Sequence, residues 1–266
     1  MAKAIISTTY DDKYLWNLPL VVWCWNKLNV DVICFMPEIM DSKTYQKPAL
    51  IVDAMGAKNL KCKIHTFKAP EHKEATYAQC LRNFGAAIQG LDEDELLCSS
   101  DVDMICFKKP PYNDMLTIWG SDLVPKGQMP MCYINGTVKQ WKEALNIGNK
   151  TYQECIDELL GEDDCEHYVG NRWSRDQEIA HNCISKVNHS LVPRAREGTQ
   201  WAKNRLDRDD SYILDRLNLD NEDYHLNRPG YEDANFEIIL KILQYHYPTE
   251  SFDWLRTYNE QYKQLL

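Results

Sequence analysis

Apolar and polar residues alternate along this chain at two spacings, and the switches between them mark its elements. Ala4 to Thr8 reads as a short buried strand, and Lys13 to Leu28 then places Leu20, Trp23, Cys24 and Leu28 on one helical face, with Pro19 an awkward residue near its start. Asp31 to Met36 is a second apolar strand, and Lys61 to Phe67 alternates as a half-buried strand does. Tyr77, Leu81, Phe84 and Ile88 repeat at helical spacing, so a helix is expected from about His72 to Gln89, closed by Gly90. A strand from about Leu96 follows and ends at Asp101. This order predicts an α/β fold, a mostly parallel, Rossmann-like sheet flanked by helices.

After Pro110 and Pro111 the pattern loosens. Met115 to Val124 and Met129 to Asn135 are expected strands, and Val138, Trp141 and Leu145 mark a short helix. Further helices are expected over Tyr152 to Leu160 and Ser174 to Ile184, then two more on Phe236, Ile239, Leu240 and Leu243 and on Phe252, Leu255, Tyr262 and Leu266. The charged stretch from Arg194 to Tyr224 is expected to be loops. No internal repeat or Gly/Ser linker divides the 266 residues, so one domain is expected, with a first half over 1–110 and a second over 111–266.

Charge and cysteine content narrow the function classes. The formal net charge of −10 disfavours a nucleic-acid surface and an anionic membrane. No basic-then-apolar leader opens the chain, and no window approaches the roughly 18 apolar residues of a spanning helix. The ten cysteines contain no C-x-x-C pair, and free, mostly buried thiols in a reducing, cytoplasmic compartment are expected. Sequons at Asn135, Asn149 and Asn188 are then chance matches.

Asp-x-Asp occurs three times, and context separates the copies. Asp92/Asp94 and Asp207/Asp209 lie in charged turns and are expected at the surface. Asp101/Asp103 lies between apolar runs, where two carboxylates repel each other unless a cation or strong donors compensate them. Residues i and i+2 of a regular strand point the same way, so both can face one cleft, Asp103 binding Mn2+ or Mg2+ directly against a diphosphate and Asp101 reaching the metal, a water or the ribose hydroxyls; the other reading of the pair is a structural turn. For Arg82, which lies off its helix's apolar stripe, two readings stand: a phosphate or donor-sugar contact, or an arginine facing water. Ser174 and Gln177 have the spacing of a helix-capping box, with Asp176 suited to the dipole of the first turn. His225 precedes a Pro-Gly turn and is a candidate third metal ligand, and Arg228 beside it is a candidate diphosphate contact.

The segment LRNFGAAIQGLDEDELLCSSDVDMICF, Leu81 to Phe107, resembles the nucleotide-binding half of GT-A glycosyltransferases, where an Arg-Asn helix, an acidic turn and an apolar strand lead into the metal-binding Asp-x-Asp. The C-terminal elements look closest to the glycogenin-like and bacterial lipopolysaccharide galactosyltransferase pattern, and small enzymes of large algal viruses combine such features. The resemblance implies a nucleotide-sugar donor, UDP first, and a glycan or other hydroxyl acceptor. It implies that Thr8, Tyr10 and Asp12 hold base and ribose and that the Asn135-Gly136 turn approaches the donor sugar, although simple polar turns explain both stretches as well. Trp119 to Asp122 are candidates for the acceptor side. An acidic motif stands at the place of Asp176 in such enzymes, which implies that it takes the acceptor proton in an inverting displacement or orients substrates in a retaining one. It also implies that His225 completes the ion's ligands. Two other readings are a non-catalytic carbohydrate-binding protein and an Asp-x-Asp phosphatase of the haloacid-dehalogenase type. The latter carries its motif on the first strand, not the fourth. Sugar nucleotidyltransferases need a Gly-rich first loop, and STTYDDKY contains no glycine.

Overall fold

The computed structural model describes residues 2–38, 45–70, 73–112, 114–160, 174–193 and 204–266. His72, Cys165, Trp173 and the first part of the expected loop stretch, 194–203, lie outside the described residues. Ala2–Ser7 (β1), Asp31–Pro37 (β2), Cys62–Phe67 (β3) and Leu96–Ser99 (β4) run parallel, with β1 between β2 and β4. Ile134–Thr137 (β7) joins β4 antiparallel, and Leu116–Trp119 (β6) and His189–Val192 (β8) complete a seven-stranded sheet in the order β3-β2-β1-β4-β7-β6-β8. The expected mostly parallel α/β sheet is what the chain forms.

Alternate residues of β1 feed two cores. Ala4 and Ile6 pack with Leu18–Lys27 (α2), Asp233–His246 (α8) and Asp253–Lys263 (α9) on one face. Ile5 packs with Glu74–Leu81 (α4), Val138–Leu145 (α5), Tyr152–Leu160 (α6) and Arg175–Ile184 (α7) on the other. Burial on both faces explains why β1 and β2 read as continuous apolar runs.

Several elements differ from expectation for identifiable reasons. The helix expected over Lys13 to Leu28 breaks at Asn17 into Asp12–Leu15 (α1) and α2, because Pro19 belongs to a first helical turn, where no amide hydrogen is needed. Gln46–Ala57 (α3), absent from the sequence reading, crosses between parallel β2 and β3, which no hairpin can join. The helix expected to reach Gln89 ends at Leu81 and tightens into a 3-10 turn over Arg82–Ala87. There the backbone closes onto β1: a Cβ on Gly85 would stand 2.9 Å from the Ile5 side chain. The strand expected over Met115 to Val124 stops at Trp119, where Gly120 turns with φ of 71°. β7 starts only at Ile134, after Tyr133 at φ of 89°. Ser174 does not cap α7; its hydroxyl donates to Glu178 at 3.0 Å and accepts from Gln128 at 3.0 Å.

The expected loop region contains two strands. Leu206–Asp207 (β9) and Asp223–His225 (β10) form a second, three-stranded sheet with Met104–Cys106 (β5), which directly follows the second aspartate of the Asp-x-Asp pair.

Candidate functional site

A cleft of about 480 Å³ opens beyond the C-terminal ends of β1 and β4, where Ser7, Thr8 and Asp101 lie in its wall. Ligands of open parallel sheets are held at this edge. The small sheet supplies the opposite wall. Its register sets His225 against Met104 in antiparallel pairing and against Asp207 in parallel pairing, and the Leu226 amide donates to the Asp103 carbonyl at 2.9 Å. Three short strands thereby bring Asp103, Asp207 and His225 together from distant parts of the chain.

Asp101 and Asp103 are both in the cleft, but they serve different partners. β4 ends at Ser99 and the pair lies on a turn, so the alternation of a regular strand does not apply. Asp101 forms an ion pair with Arg82, whose other nitrogen, Nη2, donates to Asp176 at 2.5 Å. Arg82 is buried between these two carboxylates rather than facing water. Burial alone would make its guanidinium easier to deprotonate; Asp101 and then Asp176 outweigh that and hold it charged. Asp176 is 1% exposed. Burial raises its carboxyl to about 6 against the pull of Arg82, and its second oxygen accepts from the Gln177 amide at 2.9 Å.

Asp103 is surrounded by cations. Its Oδ2 lies 2.9 Å from Arg208 Nη1, 3.3 Å from His225 Nε2 and 3.3 Å from Arg228 Nη1. Burial would raise this carboxyl, but His225, Arg228 and Arg208 together hold it well below the usual carboxylate range. His225 Nδ1 lies 3.5 Å from Asp207. Burial opposes protonation of the ring, and hydrogen bonds to Asp103 and Asp207 overcome it, raising His225 to about 9. His225 in turn lowers Asp207 to about 2. Arg228 lies 4.8 Å over the Tyr14 ring, which fixes its stem. Deeper in the wall, Arg205 and Asp223 form a buried ion pair through three hydrogen bonds of 2.6 to 3.1 Å, with Cys132 at 3.8 Å from the guanidinium.

Charge in this cleft is opposite to that of the whole chain. Arg82, Arg205, Arg208, Arg228 and protonated His225 line it against Asp101, Asp103 and Asp176, in a molecule of net charge −10. Ala75, Ala78, Leu123, Val124, Pro130 and Met131 form an aliphatic wall beside this floor.

The remaining expected site residues divide between the cleft and the framework around it. Thr8 lines the cleft. Tyr10 does not: its hydroxyl donates to the Pro37 carbonyl at 2.7 Å, and burial raises it to about 12. Asp12 ties α1 to α3 and α9, accepting from Lys47 at 2.8 Å and from the Tyr262 hydroxyl at 2.7 Å. Asn135 is buried in β7, where its amide donates to the Pro111 carbonyl at 2.7 Å and its Oδ1 accepts from Trp119 at 3.4 Å. Gly136 beside it permits sheet packing, since a Cβ would meet Leu116 at 2.6 Å. Trp119 is therefore core, and Leu123 and Val124 of the following turn reach the cleft instead. Sequence reasoning missed Arg205, Arg208 and Asp207, all within a stretch expected to be charged loop.

The donor types of Asp101, Asp103 and His225 fit Mn2+ or Mg2+, two carboxylates and an imidazole. Asp103 and His225 adjoin, while Asp101 is paired with Arg82. Among the described residues no three His, Cys, Asp or Glu side chains already converge as ligands. The nine described cysteines are free thiols, and among the described residues no helix is long and apolar enough to cross a membrane.

No protein-family model matches the chain, and no curated protein matches it in sequence. Solved structures similar to it include the glycosyltransferase GlyE of Streptococcus pneumoniae TIGR4, at 13% identity and a TM-score of 0.48 over 99% of this chain. The apo form of GlyE is similar at 13% identity and a TM-score of 0.47 over 99% of this chain. This chain covers 63% and 64% of the respective GlyE chains. The galactosyltransferase LgtC, in complex with donor and acceptor sugar analogs, is similar at 10% identity and 0.48, over 97% of this chain and 100% of that one.

Proposed function

We propose that the chain is a metal-dependent glycosyltransferase that moves a sugar from a nucleotide-diphosphate donor, UDP-linked, to a hydroxyl of a glycan or similar acceptor. One observation carries this reading: a cation-rich cleft at the C-terminal sheet edge, in an otherwise acidic molecule, with Asp103 and His225 at its centre. Such a cleft suits a ligand with concentrated negative charge and a neutral appendage. The resemblance of Leu81 to Phe107 to GT-A enzymes points the same way.

In this reading Asp103, His225 once its ring has given up its proton, and Asp101 would hold a divalent ion, which when bound supplies Lewis-acid stabilisation of the departing diphosphate. Arg208 and Arg228 donate to the phosphates. Arg82 stands ready for the donor sugar, its two nitrogens aimed by Asp101 and Asp176. Asp176, nearly inaccessible and bonded through both oxygens, acts by orienting Arg82 rather than by taking the acceptor proton. The aliphatic wall of Leu123, Val124, Pro130 and Met131 excludes water beside the bond that breaks. Free thiols fit a reducing, cytoplasmic setting.

A panel of nucleotide sugars with Mn2+, with and without EDTA, tests the reading. Donor-specific hydrolysis or transfer that EDTA abolishes is the expected result. Glycan binding without any donor cleavage would assign the chain to carbohydrate-binding modules instead.

A further inference from the structure

Arg208, read above as a phosphate contact, is already engaged within this cleft. It enters from β9's following turn and donates from Nη1 to Asp103 at 2.9 Å and to the Leu226 carbonyl at 3.3 Å. Its side chain is 19% exposed and it is the nearest of three cations around one carboxylate oxygen. Arg228, farther away, also has the Tyr14 ring to rest on.

We propose that Arg208 is a positioning residue that occupies Asp103 until the nucleotide arrives, and so makes metal uptake depend on the nucleotide diphosphate. The inference rests on the metal reading above. A carboxylate oxygen that bonds a guanidinium is a poorer metal ligand, because the ion has to displace a charge-assisted bond and then sits beside an uncompensated cation. A diphosphate offers that cation a second set of oxygens. Arg208 then turns from Asp103 to the phosphates, and Asp103 is released to the ion. By linkage the two ligands strengthen each other by the same factor.

The test measures binding, not turnover. Free Mn2+ is followed by electron paramagnetic resonance during titration of the protein without nucleotide, and UDP binding is followed by calorimetry in EDTA. Arg208→Gln is expected to bind Mn2+ alone about tenfold more tightly than the parent, the low end for loss of one charge-assisted bond at a partly exposed site. In EDTA its UDP affinity is expected to fall by a similar factor. Arg208→Lys keeps the charge and stem, guards against a folding failure of the Gln variant, and is expected between the two. Mn2+ affinity in both variants equal to or weaker than the parent's overturns the inference. Asp103→Asn, titrated with Mn2+ in the presence of saturating UDP, separates the two levels: if it loses Mn2+ there while the Arg208 variants match the parent without nucleotide, only the role of Arg208 fails. If Asp103→Asn binds Mn2+ as the parent does, the metal reading itself fails.

Discussion

Asp176→Asn is the sharpest test of the buried ion-pair chain, because stability and activity are expected to move in opposite directions. Asparagine has nearly the same volume and keeps an acceptor for the Gln177 amide, so the substitution removes little beyond the charge. That charge is held at 1% exposure, and the carboxyl rises from its ordinary 3.8 to about 6 although Arg82 Nη2 lies 2.5 Å away. The rise means that burial outweighs the attraction, and it corresponds to a penalty of about 3 kcal/mol on the charged form. The sign follows from linkage: a folded pKa above the unfolded one contributes stability that is complete below 3.8 and is lost as pH rises through about 6. At pH 8 the parent therefore bears the whole penalty and the asparagine variant none. Thermal unfolding at pH 8 should give the variant a Tm up to about 6 °C higher, with the gap closing near pH 4. Transfer activity should fall, since Arg82 then keeps Asp101 as its one charged partner beside the Gln79 and Ser100 carbonyls. A variant several kcal/mol less stable than the parent at pH 8 would refute the reasoning. It would mean that the Arg82–Asp176 attraction exceeds the cost of burial, as in pairs whose breakage leaves a lone charge.

Asp223→Asn breaks the buried ion pair with Arg205 and is expected to destabilise the chain by roughly 3–5 kcal/mol, read by urea unfolding. Tyr10→Phe and Asn135→Ala should lower stability by about 1 kcal/mol per lost hydrogen bond while leaving UDP affinity within twofold; a tenfold loss of affinity in either would return that residue to the donor site. UDP association measured by stopped flow should quicken or hold level as salt rises from 10 to 150 mM. The Debye length then shortens from about 30 to about 8 Å, which screens the acidic exterior more than the cleft; a steep fall would refute this.

The sheet was legible in the sequence because both faces of its parallel strands are buried, which writes apolar runs such as Ile5–Ile6 and Val32 to Met36 into the chain. Helices with one strong face, α5 through α7 and the C-terminal pair, were equally visible. The misses share a cause, tertiary context overriding local pattern. Tyr77, Leu81, Phe84 and Ile88 keep helical spacing, yet the backbone after Leu81 tightens so that Gly85 can approach Ile5. The α3 segment carries weak amphipathic signal, and only the requirement for a crossover between β2 and β3 reveals it.

The candidate site was legible where one residue type demands compensation and illegible where compensation arrives. Two aspartates between apolar runs announce that something must neutralise them, and Asp101 and Asp103 are both in the cleft. What neutralises them comes from elsewhere: Arg82 from a kinked helix end, Arg228 from a late turn, and Arg208 from a segment whose three acids and one arginine read as solvated surface. Strands of two and three residues carry no periodicity, so the register that sets His225 between Met104 and Asp207 is invisible in one dimension. Net charge misleads in the same way. A formal −10 counts side chains irrespective of place, whereas an anionic ligand meets the few that line its cleft, where arginines and a protonated histidine outnumber the carboxylates.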